Sequence, residues 1–278
     1  MFLPLSLFCK NFDSDFYVVN LALQLQQKQQ KRMDFFFHIG RYFALLKKVF
    51  ARPEKHKLYI RQLFHEIDTL GVNSVWIVVI ISVFIGGIMT IQFAYSMSNP
   101  IYPKDLIGFG TRDTLILEFS STMLALIMAG KIGSNITSEI GSMRVTEQID
   151  SLEIMGVNSA SYLILPKIVA VVLIFPFLFI MSVFFGILGG LVTGPLAGVV
   201  TVPEFLQGLK FAFVPYYITF SAIKSLVFGF LVASVPAYFG YYVQGGALEV
   251  GKASTKAVVN TNILVLFFDL ILTRLLLT

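Results

Sequence analysis

Few side chains in this sequence stand at spacings that support catalysis. His65-Glu66 begins like the H-E-x-x-H helix of zinc proteases, but position 69 is Thr, so the second histidine ligand is absent. The run Gly246–Lys252 approaches a phosphate-binding loop, yet Ala253 follows the lysine where a hydroxyl would hold Mg²⁺. There is no serine nucleophile elbow, and the single cysteine cannot form an intrachain disulfide. The sequence therefore predicts no catalytic residue, no metal site and no cofactor in this chain.

Three charged residues lie inside otherwise apolar runs, namely Glu118, Lys224 and Asp269. A charge at the bilayer centre costs about 2.5–3.5 kcal/mol on insertion scales, so such residues face a cavity or a partner. Glu118 and Lys224 fall in two predicted helices that run in the same direction, about 6 Å apart in depth at 1.5 Å per residue. They either pair or line a wet cavity open to the outer side. Asp269 is either a third member of this set or a cap near the interface.

The composition is that of a membrane protein. Of the 278 residues, 56% are hydrophobic and 13% are charged, against roughly 25% charged in soluble domains. The apolar residues gather in runs of about 20, the length that crosses roughly 30 Å of hydrocarbon. We predict an all-α polytopic membrane protein, and most soluble enzymes are excluded. Its five transmembrane helices are expected at about 72–95, 114–132, 162–192, 216–240 and 258–277.

Basic residues are concentrated on one side of the predicted spans. Residues 1–66 carry a net charge of +6 and the remainder −1. Lys and Arg in the connecting segments and at the span ends number 16 on the N-terminal side and 4 on the other, which predicts a cytoplasmic N-terminus and a C-terminus outside. A basic region beside a membrane domain, with no nucleic-acid motif, indicates a membrane surface and not nucleic acid.

The residues before the first span divide into two parts. Residues 1–32 are a non-conforming extension with a Gln-rich stretch; we expect it to be disordered, and Met33 is a plausible start of translation. Residues 33–71 are expected to form interfacial helices, one over 34–50 lying in the membrane surface and an amphipathic elbow over 58–70. The five-span membrane domain then covers 72–278.

A distinctive segment, 141–156, joins the second and third spans on the predicted cytoplasmic side. We predict a helix leaving the bilayer, a Gly-Ser turn at 141–142, and a second helix of about three turns capped by Gly156. Arg144 is spaced to pair with Glu147. The apolar stripe of the second helix consists of Val145, Ile149, Leu152 and Met155. Such a helix is either a solvated loop or a docking helix that enters a groove on a partner.

Three ordered blocks carry a family resemblance: Phe84-Ile85-Gly86-Gly87 through Gln92, the run 141–156, and Gly245-Gly246-Ala247 followed by 250–259. Together they resemble the MlaE (YrbE-like) permeases of ABC-type lipid transporters, and the resemblance covers about residues 58–278. One departure stands at the second span. Many relatives carry Arg-Glu followed by Gly-Pro there, where this sequence has Leu117-Glu118-Phe119-Ser120-Ser121.

The resemblance implies a homodimeric permease of the bacterial inner membrane that moves glycerophospholipid between the inner and outer membranes. ABC ATPase subunits, which hold the ATP and Mg²⁺, would bind from the cytoplasm, and an MCE-domain (MlaD-like) protein would bind from the periplasm. The segment 141–156 would be the coupling helix on the ATPase. Its candidate contacts are Arg144, Glu147, Gln148, Asp150, Leu152 and Met155.

Span one also offers candidates for a lipid-tail pocket near a dimer axis, or for ordinary lipid-facing surface: Phe84, Ile88, Ile91 and Phe93. The pairs Gly86-Gly87 and Gly189-Gly190 favour close helix packing. Two other functions remain as alternatives, an intramembrane lipid-modifying enzyme and a structural membrane subunit that transports nothing.

Overall fold

The computed structural model describes residues 37–51, 56–97 and 103–277. The predicted extension 1–32 lies outside the described residues. Helix α1 covers 37–49, and up to Lys48 it belongs to a compact unit of its own, separate from Val49–Thr278. Within α1 the Arg41 guanidinium lies 5.8 Å from the centre of the Phe37 ring. Residues 34–36 of the predicted interfacial helix lie outside the described residues, and its place at the membrane surface stays a prediction.

Within the second unit, five helices are long and apolar enough to cross a membrane. They are span one (Tyr59–Ser96), span two (Asp105–Val145), span three (Ser159–Leu196), span four (Tyr216–Tyr241) and span five (Ala247–Leu277). Each predicted transmembrane segment lies within one of these helices. Among the described residues there is no strand, so the all-α polytopic architecture is confirmed.

Spans one and two are composite helices. Span one joins α2 (His56–Glu66), a π-helical segment (Ile67–Val72) and α3 (Asn73–Ser96), so the amphipathic 58–70 stretch is continuous with it. Span two is built from α4 (Asp105–Thr114), a π-helical segment (Leu115–Met123), α5 (Leu124–Met128), a second π-helical segment (Ala129–Gly133) and α6 (Ser134–Val145). A π-helical turn spreads the backbone and leaves carbonyl groups open to other donors.

The remaining helices of the described residues are two short ones and three long ones. They are α7 (Gln148–Ile154), α8 (Ser159–Leu196, span three), α9 (Val202–Lys210), α10 (Tyr216–Tyr241, span four) and α11 (Ala247–Leu277, span five). Helix α8 runs unbroken for 38 residues through Pro176, so the long third span extends without a break. At the start of α9 the Glu204 carboxylate accepts a hydrogen bond from the Thr201 backbone N–H at 2.8 Å, and this bond lowers the pKa of Glu204.

Spans one and three pack backbone to backbone through glycines. A Cβ atom on Gly86 would overlap the carbonyl oxygen of Gly186, and one on Gly189 would overlap that of Val83. The predicted close approach at both glycine pairs is therefore confirmed. Ser82 Oγ donates to Ser182 Oγ across the same interface at 2.8 Å. The two spans consequently form one tightly fitted pair.

Span four is the most enclosed of the five helices. Spans two and five pack against it, and near its C-terminal end the Thr137 hydroxyl of span two donates to the Pro236 carbonyl at 3.0 Å. Its inward face includes Phe220, Lys224 and Phe228, all fully buried. This arrangement places a lysine of span four between spans two and five.

Candidate functional site

An ion cluster, Lys224 with Glu118 and Asp269, joins spans two, four and five. The Nζ atom of Lys224 is 2.5 Å from Asp269 Oδ1 and 3.1 Å from Glu118 Oε2. The Lys224 side chain is 0% exposed, whereas Asp269 and Glu118 are 16% and 40% exposed. Spans two, four and five therefore each contribute one charge, and all three residues singled out in the sequence meet in one place.

Two threonines complete the ion cluster. Thr122 Oγ1 lies 3.0 Å from Asp269 Oδ1 and 3.3 Å from Glu118 Oε2. Thr273 Oγ1 lies 3.3 Å from Lys224 Nζ. The sequence analysis did not select these threonines. Their spacing could have identified them. Thr122 follows Glu118 by four residues and Thr273 follows Asp269 by four, so each threonine lies on the same helix face as its carboxylate.

The first π-helical segment of span two presents its backbone to span four. Lys224 Nζ donates to the Leu117 carbonyl at 3.2 Å, and Ser221 Oγ donates to the Ile116 carbonyl at 2.6 Å. These carbonyls can accept side-chain hydrogen bonds because the wider π-helical turn weakens the backbone hydrogen bonds within the helix. The lysine also lies 5.0 Å from the Phe220 ring centre and 6.0 Å from that of Phe228, within the range of cation–π attraction.

The charges of the ion cluster do not balance when all three groups are ionised. One ammonium faces two carboxylates, so the cluster carries a net negative charge. Asp269 is the closer and more enclosed partner, and Glu118 is the carboxylate that remains accessible. Among the described residues, no group of three His, Cys, Asp or Glu is placed to hold a metal ion. The accessible charge of this cluster is therefore the Glu118 carboxylate.

The 141–156 segment has a different backbone from the one predicted. Helix α6 continues through Gly141 and Ser142 to Val145, so the predicted Gly-Ser turn is wrong. A Cβ atom on Gly141 would meet Val250 at 3.0 Å, so this glycine serves close packing against span five. The chain turns instead at Glu147, whose φ of 59° is left-handed. Helix α7 is then seven residues long, about two turns and not three.

The turn at Glu147 also divides the predicted apolar stripe. Ile149 is fully buried, while Met155 is 68% exposed, so the stripe does not form one face. Arg144 pairs with Asp150 at 2.6 Å and not with Glu147, because the change of direction brings α7 back beside the end of α6. Of the other candidate contacts, Glu147 and Gln148 are exposed and Leu152 is half-buried.

The predicted C-cap at Gly156 is confirmed. Its φ is 78°, its backbone N–H donates to the Glu153 carbonyl at 3.0 Å, and the Val157 N–H donates to the Leu152 carbonyl at 3.1 Å. This is the hydrogen-bond pattern of a Schellman motif. It ends α7 sharply and leaves Met155 on the outside of the fold.

A family model described as Permease MlaE matches residues 63–275, and this range includes most of each of the five spans. The chain belongs to the MlaE permease family. A probable ABC transporter permease protein of Rickettsia bellii is 30% identical over 84% of this chain and 88% of its own length. A probable ABC transporter permease protein of Synechocystis is 31% identical over 82% and 86%. The intermembrane phospholipid transport system permease protein MlaE of Haemophilus influenzae is 30% identical over 87% and 93%.

A second ion cluster in this MlaE family member, Lys167 with Glu66 and Glu139, lies towards the α7 end of the bundle. Lys167 Nζ is 2.6 Å from Glu66 Oε1 and 2.8 Å from Glu139 Oε2, and the lysine side chain is 3% exposed. The cluster joins span one, span two and span three at one point. Glu66 and Glu139 lie in polar stretches, whereas Lys167 lies in an apolar run near the start of span three. Nothing in their spacing indicated that they meet.

The family member's lipid-tail candidates separate in the structure. Phe84, Ile88 and Ile91 lie on the exposed face of span one, Phe84 being 67% exposed. Phe93 instead points towards span two, where a Cβ atom on Gly110 would lie 2.8 Å from its ring. Phe93 therefore belongs to the packing between spans one and two, and the other three share a surface that faces away from the bundle.

Proposed function

We propose that this chain is the transmembrane permease subunit of an ATP-driven glycerophospholipid transporter. The observation that carries the proposal is the MlaE match over residues 63–275, which extends through all five spans. The Haemophilus influenzae relative, whose name describes intermembrane phospholipid transport, supports lipid as the substrate. In this proposal the subunit is a homodimer in the bacterial inner membrane and moves lipid between the inner and outer membranes.

The charge distribution supports an orientation with the N-terminus and α7 in the cytoplasm. The ATPase would then bind the α7 end, where Glu147, Gln148 and Met155 are exposed. The near phosphate-binding run 246–253 lies at the start of span five, a helix, and has no strand before it. Nucleotide and Mg²⁺ would therefore be held by the partner ATPase. An MCE-domain protein would occupy the opposite, periplasmic side.

The ion cluster of Lys224 supports a site that lipid head groups reach. Lys224 is enclosed, but the carboxylate of Glu118 is 40% exposed while paired with it. Because Glu118 is paired with the buried Lys224 and is still accessible, its carboxylate is suited to contact a polar head group inside an otherwise apolar bundle. Phe84, Ile88 and Ile91 on span one would offer apolar surface for acyl chains near the dimer axis.

The test is reconstitution. The chain is purified with its co-expressed ATPase, placed in vesicles with a fluorescent phospholipid, and assayed for lipid movement with ATP and with a non-hydrolysable analogue. We expect one ATPase per permease chain and movement only with ATP. Lys224→Met should reduce movement strongly, and the matched exposed change Lys252→Met should not. ATP hydrolysis with no lipid movement would favour a structural subunit, and chemical change of lipid without ATP would favour an enzyme; either result overturns the proposal.

A further inference from the structure

A polar contact ties α7 to two spans at once. Glu153 Oε1 accepts hydrogen bonds from Ser159 Oγ at 2.8 Å and from Tyr241 Oη at 2.9 Å. Ser159 lies at the start of span three and Tyr241 at the end of span four. Both are buried, with 1% and 5% of their surfaces exposed. The two hydroxyl oxygens lie 2.9 Å apart. One carboxylate oxygen of α7 therefore contacts the start of span three and the end of span four.

The carboxylate is well suited to this role. Hydrogen bonds from hydroxyls to an ionised carboxylate are shorter and about twice as strong as those between neutral groups. Glu153 also sits in the last turn of α7, immediately before the Gly156 cap that fixes the end of the helix. A movement of α7 therefore displaces the Glu153 backbone, and the two hydrogen bonds of its exposed carboxylate pass that displacement to Ser159 and Tyr241.

The other end of α7 is held separately. Asp150 pairs with Arg144 of α6 at 2.6 Å, which attaches the start of α7 to span two. Ile149 is fully buried between these attachments. Helix α7 is thus connected to span two by one contact and to spans three and four by another, and the two contacts are separable by substitution.

We infer that Glu153 is a positioning residue that transmits displacement of α7 to spans three and four during transport. The inference rests on the proposed function, in which α7 receives the partner ATPase. In this role Glu153 acts through Ser159 and Tyr241 and not through contact with lipid or nucleotide. Its loss leaves α7 folded by its cap and by Asp150, and leaves the exposed residues Glu147 and Gln148 in place for the ATPase. The ATPase still binds and hydrolyses ATP, but spans three and four no longer follow.

The experiment measures lipid moved per ATP hydrolysed in the reconstituted complex. The variants are Glu153→Ala, Glu153→Gln, and the double change Ser159→Ala with Tyr241→Phe. The control is Glu249→Gln, which alters an exposed carboxylate paired with Lys252. Since removing hydrogen bonds to a charged group costs about tenfold or more in an equilibrium, we expect Glu153→Ala to lower this ratio about tenfold with ATPase co-purification unchanged.

Glu153→Gln retains an acceptor oxygen and should lose only about threefold, a partial rescue that a purely steric role would not show. The hydroxyl double change should match Glu153→Ala, and adding Glu153→Ala to it should cause no further loss. If Glu153→Ala does not fold, the hydroxyl double change, which deletes only two oxygen atoms, gives the same comparison.

An unchanged ratio in Glu153→Ala or in the hydroxyl double change overturns the inference. Loss of ATPase co-purification in Glu153→Gln also overturns it, because Glu153 would then belong to the binding surface. Failure of the proposed function looks different: the unmodified chain would bind no ATPase or move no lipid, and the control would behave in the same way.

Discussion

Lys224 is held more closely by Asp269 than by Glu118. The Nζ–oxygen distances are 2.5 and 3.1 Å, and the Asp269 side chain is 16% exposed against 40% for Glu118. The carboxylate that lies furthest along the chain is therefore the principal counter-ion of the buried lysine. Glu118 is the more accessible member, so the proposed contact with a lipid head group falls to Glu118 and the structural role to Asp269.

Asp269→Asn should destabilise the protein more than Glu118→Gln. Removing one partner of a buried ion pair costs about 3–5 kcal/mol because the remaining charge is left uncompensated. Glu118 is partly screened, so its removal should cost about 1 kcal/mol or less. Thermal unfolding in detergent, followed through a fluorescent fusion, measures both. Equal losses for the two variants would show that the lysine uses both carboxylates alike.

Combined neutralisation of the ion cluster should be milder than the sum of its parts. The double change Glu118→Gln with Lys224→Met still leaves Asp269 without its cation. The triple change that adds Asp269→Asn leaves no unpaired charge, so its loss of stability should fall furthest below the sum of the three single losses. Coupling between contacting residues is about 0.5–3 kcal/mol. Stability and transport are measured for each single, double and triple variant. Strict additivity would mean that the three charges act independently.

Glu147→Lys should weaken binding of the ATPase or uncouple hydrolysis from transport while leaving membrane insertion intact. Loss of a carboxylate held by a basic residue of the partner costs about 2–5 kcal/mol. Glu147 has a φ of 59°, a conformation that glycine adopts without strain. Glu147→Gly therefore removes the charge while keeping the turn, and should show the same defect. Normal co-purification and hydrolysis in both variants would make Glu147 a solvated residue.

Lys167→Met should destabilise the α7 end of the bundle. It leaves Glu66 and Glu139 facing each other without their ammonium, at a cost of about 3–5 kcal/mol. Lys167→Arg keeps the charge and should cost less. The combination of Lys167→Met with Glu66→Gln and Glu139→Gln should recover part of the loss. Limited proteolysis between spans two and three is the measurement, and unchanged protection in Lys167→Met would contradict the prediction.

The sequence by itself determined the number and place of the spans. Bilayer thickness sets the length of an apolar helix, so runs of apolar residues identify each span without knowledge of its neighbours. The same reasoning selected Glu118, Lys224 and Asp269, because any charge in such a run needs a partner or a cavity. The Gly156 cap was also predictable, since the left-handed residue that ends a helix is commonly glycine.

Only the tertiary structure decided which polar groups meet. Asp269 reaches Lys224, and Tyr241 reaches Glu153 across 88 residues, because the rotation of each helix about its axis aims these side chains at one another. A helix that is apolar on nearly every side carries little periodic signal for that rotation. The position of the turn before α7 also depended on packing. Gly141 is a residue type common in turns, which is why the sequence placed the turn there. In the structure Gly141 lies inside a continuous helix, because span five packs so closely that there is little room for a Cβ atom.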